Sequence, residues 1–339
     1  MTKVAVVILN WNGKELLEKF LPSVIKYSSL PGTSIFIIDN ASTDDSVDFV
    51  KKNYSQIEII NLDKNYGFAE GYNKGIDKID AKYFVLLNSD AEVSENWLNV
   101  IQLMEEDENI AVCQPKIKSF LEREYFEYAG AAGGFIDKFG YSFCRGRIFN
   151  VYEIDNNQYN TPTDIFWATG ACLFIKADLY KIAGGLDENF FAHMEEIDLC
   201  WRLKNRGYKI KYSPYSTVYH LGGGTLNKTN PQKTYLNFRN NLYLLYKNLP
   251  PSYVFSTLLI RLLLDAIAGF KFLLGLEFNN FWAVIKAHIS FYFNLNKFYK
   301  KRKENLKYNK FYKHPEIYKH SIAFDFFFKK VRTFKEIKF

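Results

Sequence analysis

Cysteine is scarce in this 339-residue chain. Cys113, Cys144, Cys172 and Cys200 are scattered, and no two stand close enough for a zinc knuckle or a redox pair. Nothing in that scatter asks for an oxidising compartment. A secretory leader is also missing from the reading. The apolar run at residues 4–9 is too short for a signal core and ends in Asn-Trp-Asn with no small-residue cleavage site. The expected location is therefore cytoplasmic. The body of the chain has no excess of positive charge either. The net charge is +7, but residues 297–339 hold 14 Lys/Arg against 4 Asp/Glu, which leaves 30 against 33 in residues 1–296. A slightly acidic body excludes a uniformly basic nucleic-acid binder, and no nucleic-acid partner is expected.

What the chain has in quantity is aromatic and apolar sequence: 31 Phe, 24 Tyr and 5 Trp, with 48% hydrophobic residues overall. A chain of this length has room for roughly two domains. Residues 4–9, 34–38, 57–62 and 83–87 read as β-rich runs covered on both faces, and segments of helical spacing separate them. The first of these segments, residues 13–27, carries Leu16, Leu17, Phe20, Leu21 and Val24 at helical spacing, against Pro22. Residues 42–45, Ser-Thr-Asp-Asp, read as the start of the second helix. The β-α-β-α-β-α-β-α order predicts a mostly parallel sheet with helices on both faces, and ligands gather at the carboxyl ends of such strands. All four strands end near Asn or Asp: Asn10 and Asn12, Asp39 and Asn40, Asp63 and Asn65, then Asn88, Ser89 and Asp90. Turn and cap chemistry explains any one of these, and four together less well.

Gly67, Gly71 and Gly75 recur every fourth residue and share one helical stripe. Each costs about 1 kcal/mol relative to alanine inside a helix, so close approach is required, of a backbone or of a ligand. Further on, residues 195–206 form a helix that stops at Gly207. At about 100° per residue, Ile197, Leu199, Cys200, Trp201 and Leu203 make one apolar arc, and Glu196 falls inside it. Glu195, Asp198 and Arg202 fall opposite, with Asp198 and Arg202 spaced for an i,i+4 pair. An inward carboxylate among apolar groups is a candidate general base. One residue of slippage in the helix start would pass that role to Glu195 or Asp198. His220 follows a strand at residues 218–220, and the glycines at 222–224 read as a loop able to close over a ligand.

Seven motifs in order resemble glycosyltransferase family 2, the inverting enzymes of the GT-A fold. They are Val-Ile-Leu-Asn-Trp-Asn (7–12), Ile-Asp-Asn-Ala-Ser-Thr-Asp-Asp-Ser (38–46), Asn-Tyr-Gly-Phe-Ala-Glu-Gly-Tyr-Asn-Lys-Gly (65–75), Leu-Leu-Asn-Ser-Asp-Ala (86–91), Thr-Gly-Ala-Cys-Leu-Phe-Ile-Lys (169–176), Glu-Glu-Ile-Asp-Leu-Cys-Trp-Arg (195–202) and Val-Tyr-His (218–220). The chain is similar above all to bacterial rhamnosyltransferase-like and galactofuranosyltransferase-like members. The resemblance covers about residues 3–248. It implies a GT-A domain over 1–248, with a nucleotide-sugar half (1–115) and an acceptor and catalytic-base half (116–248). It further implies a UDP- or dTDP-linked sugar held by Asn10, Trp11, Asn12, Asp39, Asn65, Gly67, Asn88 and Ser89. Mg²⁺ or Mn²⁺ would sit on Asp90 and His220, with Glu196 as the base and Trp167, Thr169 and Gly170 on the acceptor side. The family's acidic metal motif has Asn88 at its first place here, leaving Asp90 as the lone carboxylate. The implied reaction transfers the sugar, with inversion, to a hydroxyl of a glycan or lipid-linked acceptor in cell-surface polysaccharide synthesis.

Two other classes remain open on the residues alone. The thin metal motif permits a non-catalytic sugar-nucleotide-binding or glycan-binding relative. A nucleotidyltransferase ranks lower, because Lys14 is the lone base near the first strand and no glycine-rich basic loop accompanies it.

Residues 249–339 read as a helical, aromatic and basic extension. Before it, residues 236–249 carry Arg239, Asn240 and Asn241 on a helix closed by Pro250-Pro251. Residues 254–276 are long enough to span a bilayer, but Arg261, Asp265 and Lys271 interrupt them within about a third of the helix circumference. That pattern favours a helix lying on a membrane or docked on the catalytic domain. The Lys-Lys-Arg-Lys run at 300–303, with the aromatics after it, is expected to meet an anionic membrane surface and place the protein peripherally on the inner face of the cell membrane.

Overall fold

In the computed structural model, residues 2–222 and 230–339 are described. The chain opens with β1 (Thr2–Asn10), α1 (Lys14–Tyr27), β2 (Thr33–Asp39), α2 (Ser46–Asn53), β3 (Glu58–Asn61), α3 (Gly67–Ile76) and β4 (Ala81–Asn88). These four strands pair in parallel in the order β4-β1-β2-β3. Val4 to Val7 are fully enclosed, as a strand covered on both faces demands. α1 runs through Pro22 without a break in assignment, because Leu17, Phe20, Leu21 and Val24 bury its inner stripe. Proline removes one ladder hydrogen bond, and that loss is smaller than the loss of four buried side chains. The second helix begins at Ser46, four residues later than expected, because residues 42–45 are used to tie down the neighbouring loop.

β5 (Ala91–Val93), α4 (Val100–Glu106) and β6 (Ile110–Ser119) follow, then the short strands β7 (Gly134–Asp137), β8 (Ser142–Cys144), β9 (Arg147–Ile148), β10 (Val151–Tyr152) and β11 (Thr163–Asp164). β12 (Cys172–Lys176), α5 (Ala177–Ala183), α6 (Glu195–Asn205) and β13 (Lys209–His220) complete the larger sheet. Its order is β11-β13-β6-β12-β4-β1-β2-β3, with β5 added to β13. β12 enters antiparallel between β4 and β6, so the carboxyl ends of β1, β2 and β4 face the segment that precedes β12. The four cysteines are free and buried.

The remaining elements are α7 (Pro231–Asn248), α8 (Pro251–Leu274), α9 (Phe278–Phe293), α10 (Leu295–Tyr308), β14 (Ile317–Tyr318) and α11 (Ile322–Phe327). The C-terminal part packs back on the body. β14 adds in parallel to β7, extending the second sheet, β10-β9-β8-β7-β14. Phe334 and Phe339 close on Phe135 and Phe143, and Tyr243 of α7 stacks on Phe298 of α10 at 3.7 Å between ring centroids. Part of the basic run is spent on the fold: Lys301 pairs with Asp187 at 2.6 Å, and Arg302 donates to the Tyr246 carbonyl. Among the described residues, no helix is long and apolar enough to cross a membrane.

Candidate active site

The ends of β1 and β2 are joined by a polar latch. Asn10, buried, donates through Nδ2 to Asp39 Oδ1 (3.1 Å), Ser42 Oγ (3.1 Å) and Ser46 Oγ (2.9 Å). Asp39 Oδ2 accepts the Ser42 amide. Asn12 takes a left-handed backbone, and its Oδ1 accepts the amides of Thr43 and Asp44. Asp44 accepts the Lys14 amide at the first turn of α1. The Asn and Asp residues here thus serve as turn ties, and they leave Trp11 exposed above the strand ends.

The glycine stripe of α3 has two separate causes. A Cβ on Gly75 would stand 2.1 Å from Ile38 Cδ1, and one on Gly71 3.1 Å from Leu9 Cδ1 and from the Asn40 amide. Those two glycines permit helix-on-sheet packing. Gly67 opens the helix at φ +74°, against the ring of Phe191. Asn65 Oδ1 accepts the Gly67 amide and the Asn40 side-chain amide, while Asn40 Oδ1 accepts the Tyr66 amide. Asn65 and Asn40 therefore pin the start of α3 to the end of β2.

At the end of β4, Asn88 and Ser89 are half-buried and Asp90 is buried. His220, the last residue of β13, brings Nε2 to 3.1 Å from Asp90 Oδ1 and 3.2 Å from Asn88 Nδ2. Its Nδ1 faces Glu127 at 3.3 Å. Burial works against a charged imidazole, but hydrogen bonds and charge from Asp90 and Glu127 outweigh it and push His220 up to about 10. Burial would raise Asp90, yet the His220 bond holds its carboxyl below the usual range. Glu127 carries no sequence motif and sequence reasoning missed it. It orients the ring from the far side, as a carboxylate behind a ligating histidine does. Among the described residues, no group of three or more His, Cys, Asp or Glu could hold a metal ion. Asp90 Oδ1 and His220 Nε2 share a proton at 3.1 Å; a cation that displaced it would find an oxygen and a nitrogen ligand there, a pair that fits a cation completed by diphosphate oxygens and water.

α6 starts from strained backbone. Phe191, His193 and Met194 all have φ near +70°. Asn240 of α7 donates through Nδ2 to the carbonyls of Phe190, Ala192 and His193, and Arg239 donates to those of Asn189 and Phe190. α6 is buried on nearly every side, so Glu195, Asp198 and Arg202, opposite the apolar arc, are enclosed as well. Asp198 is enclosed and fully paired, with Arg202 (2.8 Å), Lys247 (2.7 Å) and Asn248 (2.8 Å), which leaves it a structural place in the fold. Burial would raise Asp198, and the charges of Lys247 and Arg202 hold it below the usual range. Glu195 and Glu196 each keep one buried carboxylate oxygen without a hydrogen-bond partner. Burial, then the charge of Glu196, pushes Glu195 well up. Burial pushes Glu196 up to about 7, against amides of residues 194, 196, 197 and 170 that draw it down.

The backbone of Gly170 counters the rise of Glu196, and a Cβ on Gly170 would stand 3.4 Å from the ring of Phe68 at the start of α3. Thr169 is a brace: its amide donates to Gln114 Oε1, and its Oγ1 accepts the Ala171 amide. Trp167 is buried, with Nε1 donating to the Phe135 carbonyl. A cavity of about 990 Å³ adjoins the site, walled by Glu127, Tyr128, Arg147, Met194, Gly222 and Lys233 among others. Of the glycines read as a closing loop, Gly222 is described, and 223 and 224 lie outside the described residues.

The sheet, with its parallel β4-β1-β2-β3 half ending in Asn and Asp residues, is an open α/β arrangement of the kind that takes ligands at the carboxyl ends of its strands. Residues 5–181 match the family described as glycosyl transferase family 2, and the chain belongs to that family. A hexosyltransferase of low-salt glycan biosynthesis, Agl10 of Haloferax volcanii, is 23% identical over 247 residues, covering 70% of this chain and 73% of that one. An N-acetylglucosaminyl-diphospho-decaprenol L-rhamnosyltransferase of Mycobacterium tuberculosis is 24% identical over 245 residues, covering 63% of this chain and 75% of its own. Among solved structures, GalNAc-T7 with UDP, GalNAc and Mn²⁺ superposes with a TM-score of 0.57 at 16% identity. That likeness covers 73% of this chain, and the chain spans about half (48%) of that protein. The fold is GT-A, and the chain is a glycosyltransferase resembling rhamnosyltransferase members of the family.

Proposed function

We propose that the chain is an inverting, metal-assisted hexosyltransferase that moves a sugar from a UDP- or dTDP-linked donor to a hydroxyl of a glycan or lipid-linked acceptor in cell-surface polysaccharide synthesis. The observation that carries this reading is the half-buried Glu196 carboxylate at the start of α6, one oxygen of which is buried without a hydrogen-bond partner and which burial raises to about 7. A base that titrates near neutrality accepts a proton readily and is ionised when needed. Its alternate, Glu195, lies beside it and shares the charge, while the enclosed Asp198 is third.

The donor lies over the strand ends, with the nucleotide at Trp11, Asp39 and the Asn10–Asn12 latch. The diphosphate lies toward Asn65, Gly67, Asn88 and Ser89. Asp90 and His220 would hold Mg²⁺ or Mn²⁺, which supplies neutralising charge for the departing diphosphate. Gly170, between Thr169 and the base, leaves room for the acceptor below Trp167. Glu196 takes the proton of the acceptor hydroxyl, whose oxygen attacks the anomeric carbon as the glycosidic bond to phosphate breaks. One displacement without an enzyme nucleophile inverts the centre. The domain reading places this chemistry in 1–248 and membrane proximity, at the inner face of the cell membrane, in 249–339.

The test is a panel of nucleotide sugars, screened by thermal shift with and without Mn²⁺ and followed by transfer and donor-hydrolysis assays. Glu196→Gln is expected to bind donor normally and to lose turnover, and Asp90→Asn to lose the metal-dependent rate. Near-wild-type turnover in Glu196→Gln would remove the assignment.

A further inference from the structure

α8 is turned inside out. Its polar stripe faces the protein: Arg261 is 2% exposed and Asp265 0%, and they pair at 2.8 Å. Arg261 also donates to the Phe139 carbonyl and lies 4.1 Å from the centre of the Tyr141 ring, and His288 of α9 reaches Asp265 at 3.1 Å. The opposite stripe carries Phe255, Leu259, Leu263, Ile267, Phe270 and Leu274, all facing out, with Leu263 62%, Ile267 67% and Leu274 71% exposed. α9 continues the surface with Trp282, Ile289 and Phe293. A helix that buries its charges and exposes its leucines has its apolar face on the wrong side for water.

The surroundings identify the occupant. Exposed Lys271 borders the face, 4.9 Å over the Phe327 ring beside exposed Phe324 and Phe328, and exposed Lys286 shares the outward stripe of α9 with Trp282 and Ile289. Apolar residues flanked by lysines and rings suit an interface between acyl chains and anionic headgroups. A second copy would bring the same positive rim against itself, in an extension already at +10 over residues 297–339. The cavity beside the site runs under α8: Arg261 and Phe272 of its inner stripe line it, with Phe149, which packs on Phe326 and Phe327.

We propose that the outward faces of α8 and α9 seat the protein in the surface of an anionic bilayer. The 24-residue α8 lies in the membrane plane, and the cavity takes a lipid-linked acceptor from the side. The acceptor part rests on the glycosyltransferase reading above, and the membrane seat does not.

The test is flotation of the full chain with phosphatidylcholine vesicles, with and without phosphatidylglycerol. The wild-type chain is expected to float with the anionic vesicles and to remain partly bound in high salt. Leu263→Asp and Ile267→Asp each expose a charge where nothing is packed, so their thermal midpoints and donor hydrolysis should match wild type while vesicle binding falls roughly tenfold or more. A wild-type chain that stays unbound with both vesicle types would overturn the seat. So would variants that float equally well, or a salt-stable dimer that these variants dissociate. Failure of the enzymatic reading would appear separately, as absent donor hydrolysis in a chain that still floats.

Discussion

Glu196→Gln should make the protein more stable at pH 8 while removing its turnover. The ordinary carboxyl value is 4.5, and burial lifts Glu196 to about 7 in the folded chain. Between those values the folded state binds a proton that the unfolded state has released. Stability therefore falls as pH rises from about 4.5 to about 7, and the loss is complete above 7. The gap corresponds to about 3 kcal/mol. Glutamine keeps the shape and removes the charge, and it also removes the repulsion that helps to raise Glu195. Thermal unfolding at pH 5 and pH 8 reads this directly: a midpoint a few degrees above wild type at pH 8, closing toward pH 5. Transfer measured on the same preparations should fall by roughly 10²–10⁴. In wild type the rate should fall as pH drops through about 7, as the base takes up its proton. A variant no more stable than wild type at pH 8, with turnover retained, would refute both the burial argument and the assignment.

Lys247→Met removes a cation shared by Asp187 and Asp198, at 2.5 and 2.7 Å, and leaves them to Lys301 and Arg202, so a loss of roughly 1.5–3 kcal/mol is expected in urea unfolding. Gly75→Ala forces a methyl to within 2.1 Å of Ile38 Cδ1 and should cost roughly 1–3 kcal/mol, with Ile38→Ala restoring part of it in a double-mutant cycle. Asn240→Ala frees the three carbonyls that shape the turn before α6; kcat should fall by roughly tenfold or more with donor KM little changed, seen by steady-state kinetics.

The parallel front half was legible because buried strands write themselves as continuous apolar runs, and Val4 to Val7 are such a run. The strands of the second sheet, two to four residues each, are too short to carry a period. On α6 the wheel placed Glu196 among apolar residues and Glu195, Asp198 and Arg202 opposite, but it could not show that the opposite stripe is buried. That stripe is buried because Lys247 and Asn248 of α7 meet it, and pairing between distant segments leaves no local trace. Glu127 was invisible for the same reason: it lies in a loop, 93 positions before the histidine it orients. α8 is the most instructive case. Its periodicity put Arg261, Asp265 and Lys271 within about a third of the circumference; the first two are buried together, and Lys271 stays exposed at the edge. Periodicity does not say which stripe meets the protein, and here Phe139, Tyr141 and His288 claim the charged one.

The strained start of α6 bears on the acidity of the site. Left-handed residues such as Phe191, His193 and Met194 cost of order 1–3 kcal/mol each. A single hydrogen bond returns about 0.5–1.5 kcal/mol, so the turn is held by several together, from Arg239 and Asn240. The turn's effect is to bring two carboxylates into the first turn of a buried helix, where free amides point at them. Burial alone drives both upward without limit on charge sharing. The amides of residues 194, 196 and 197, with that of Gly170 from the facing segment, act on Glu196, whereas Glu195 receives fewer of them and the charge of its neighbour. Burial thus raises both, Glu195 well above the usual carboxyl range and Glu196 to about 7, and the charge of Glu196 adds to the rise of Glu195. Two raised carboxyls on one buried turn are the setting in which the proposed proton transfer by Glu196 would occur.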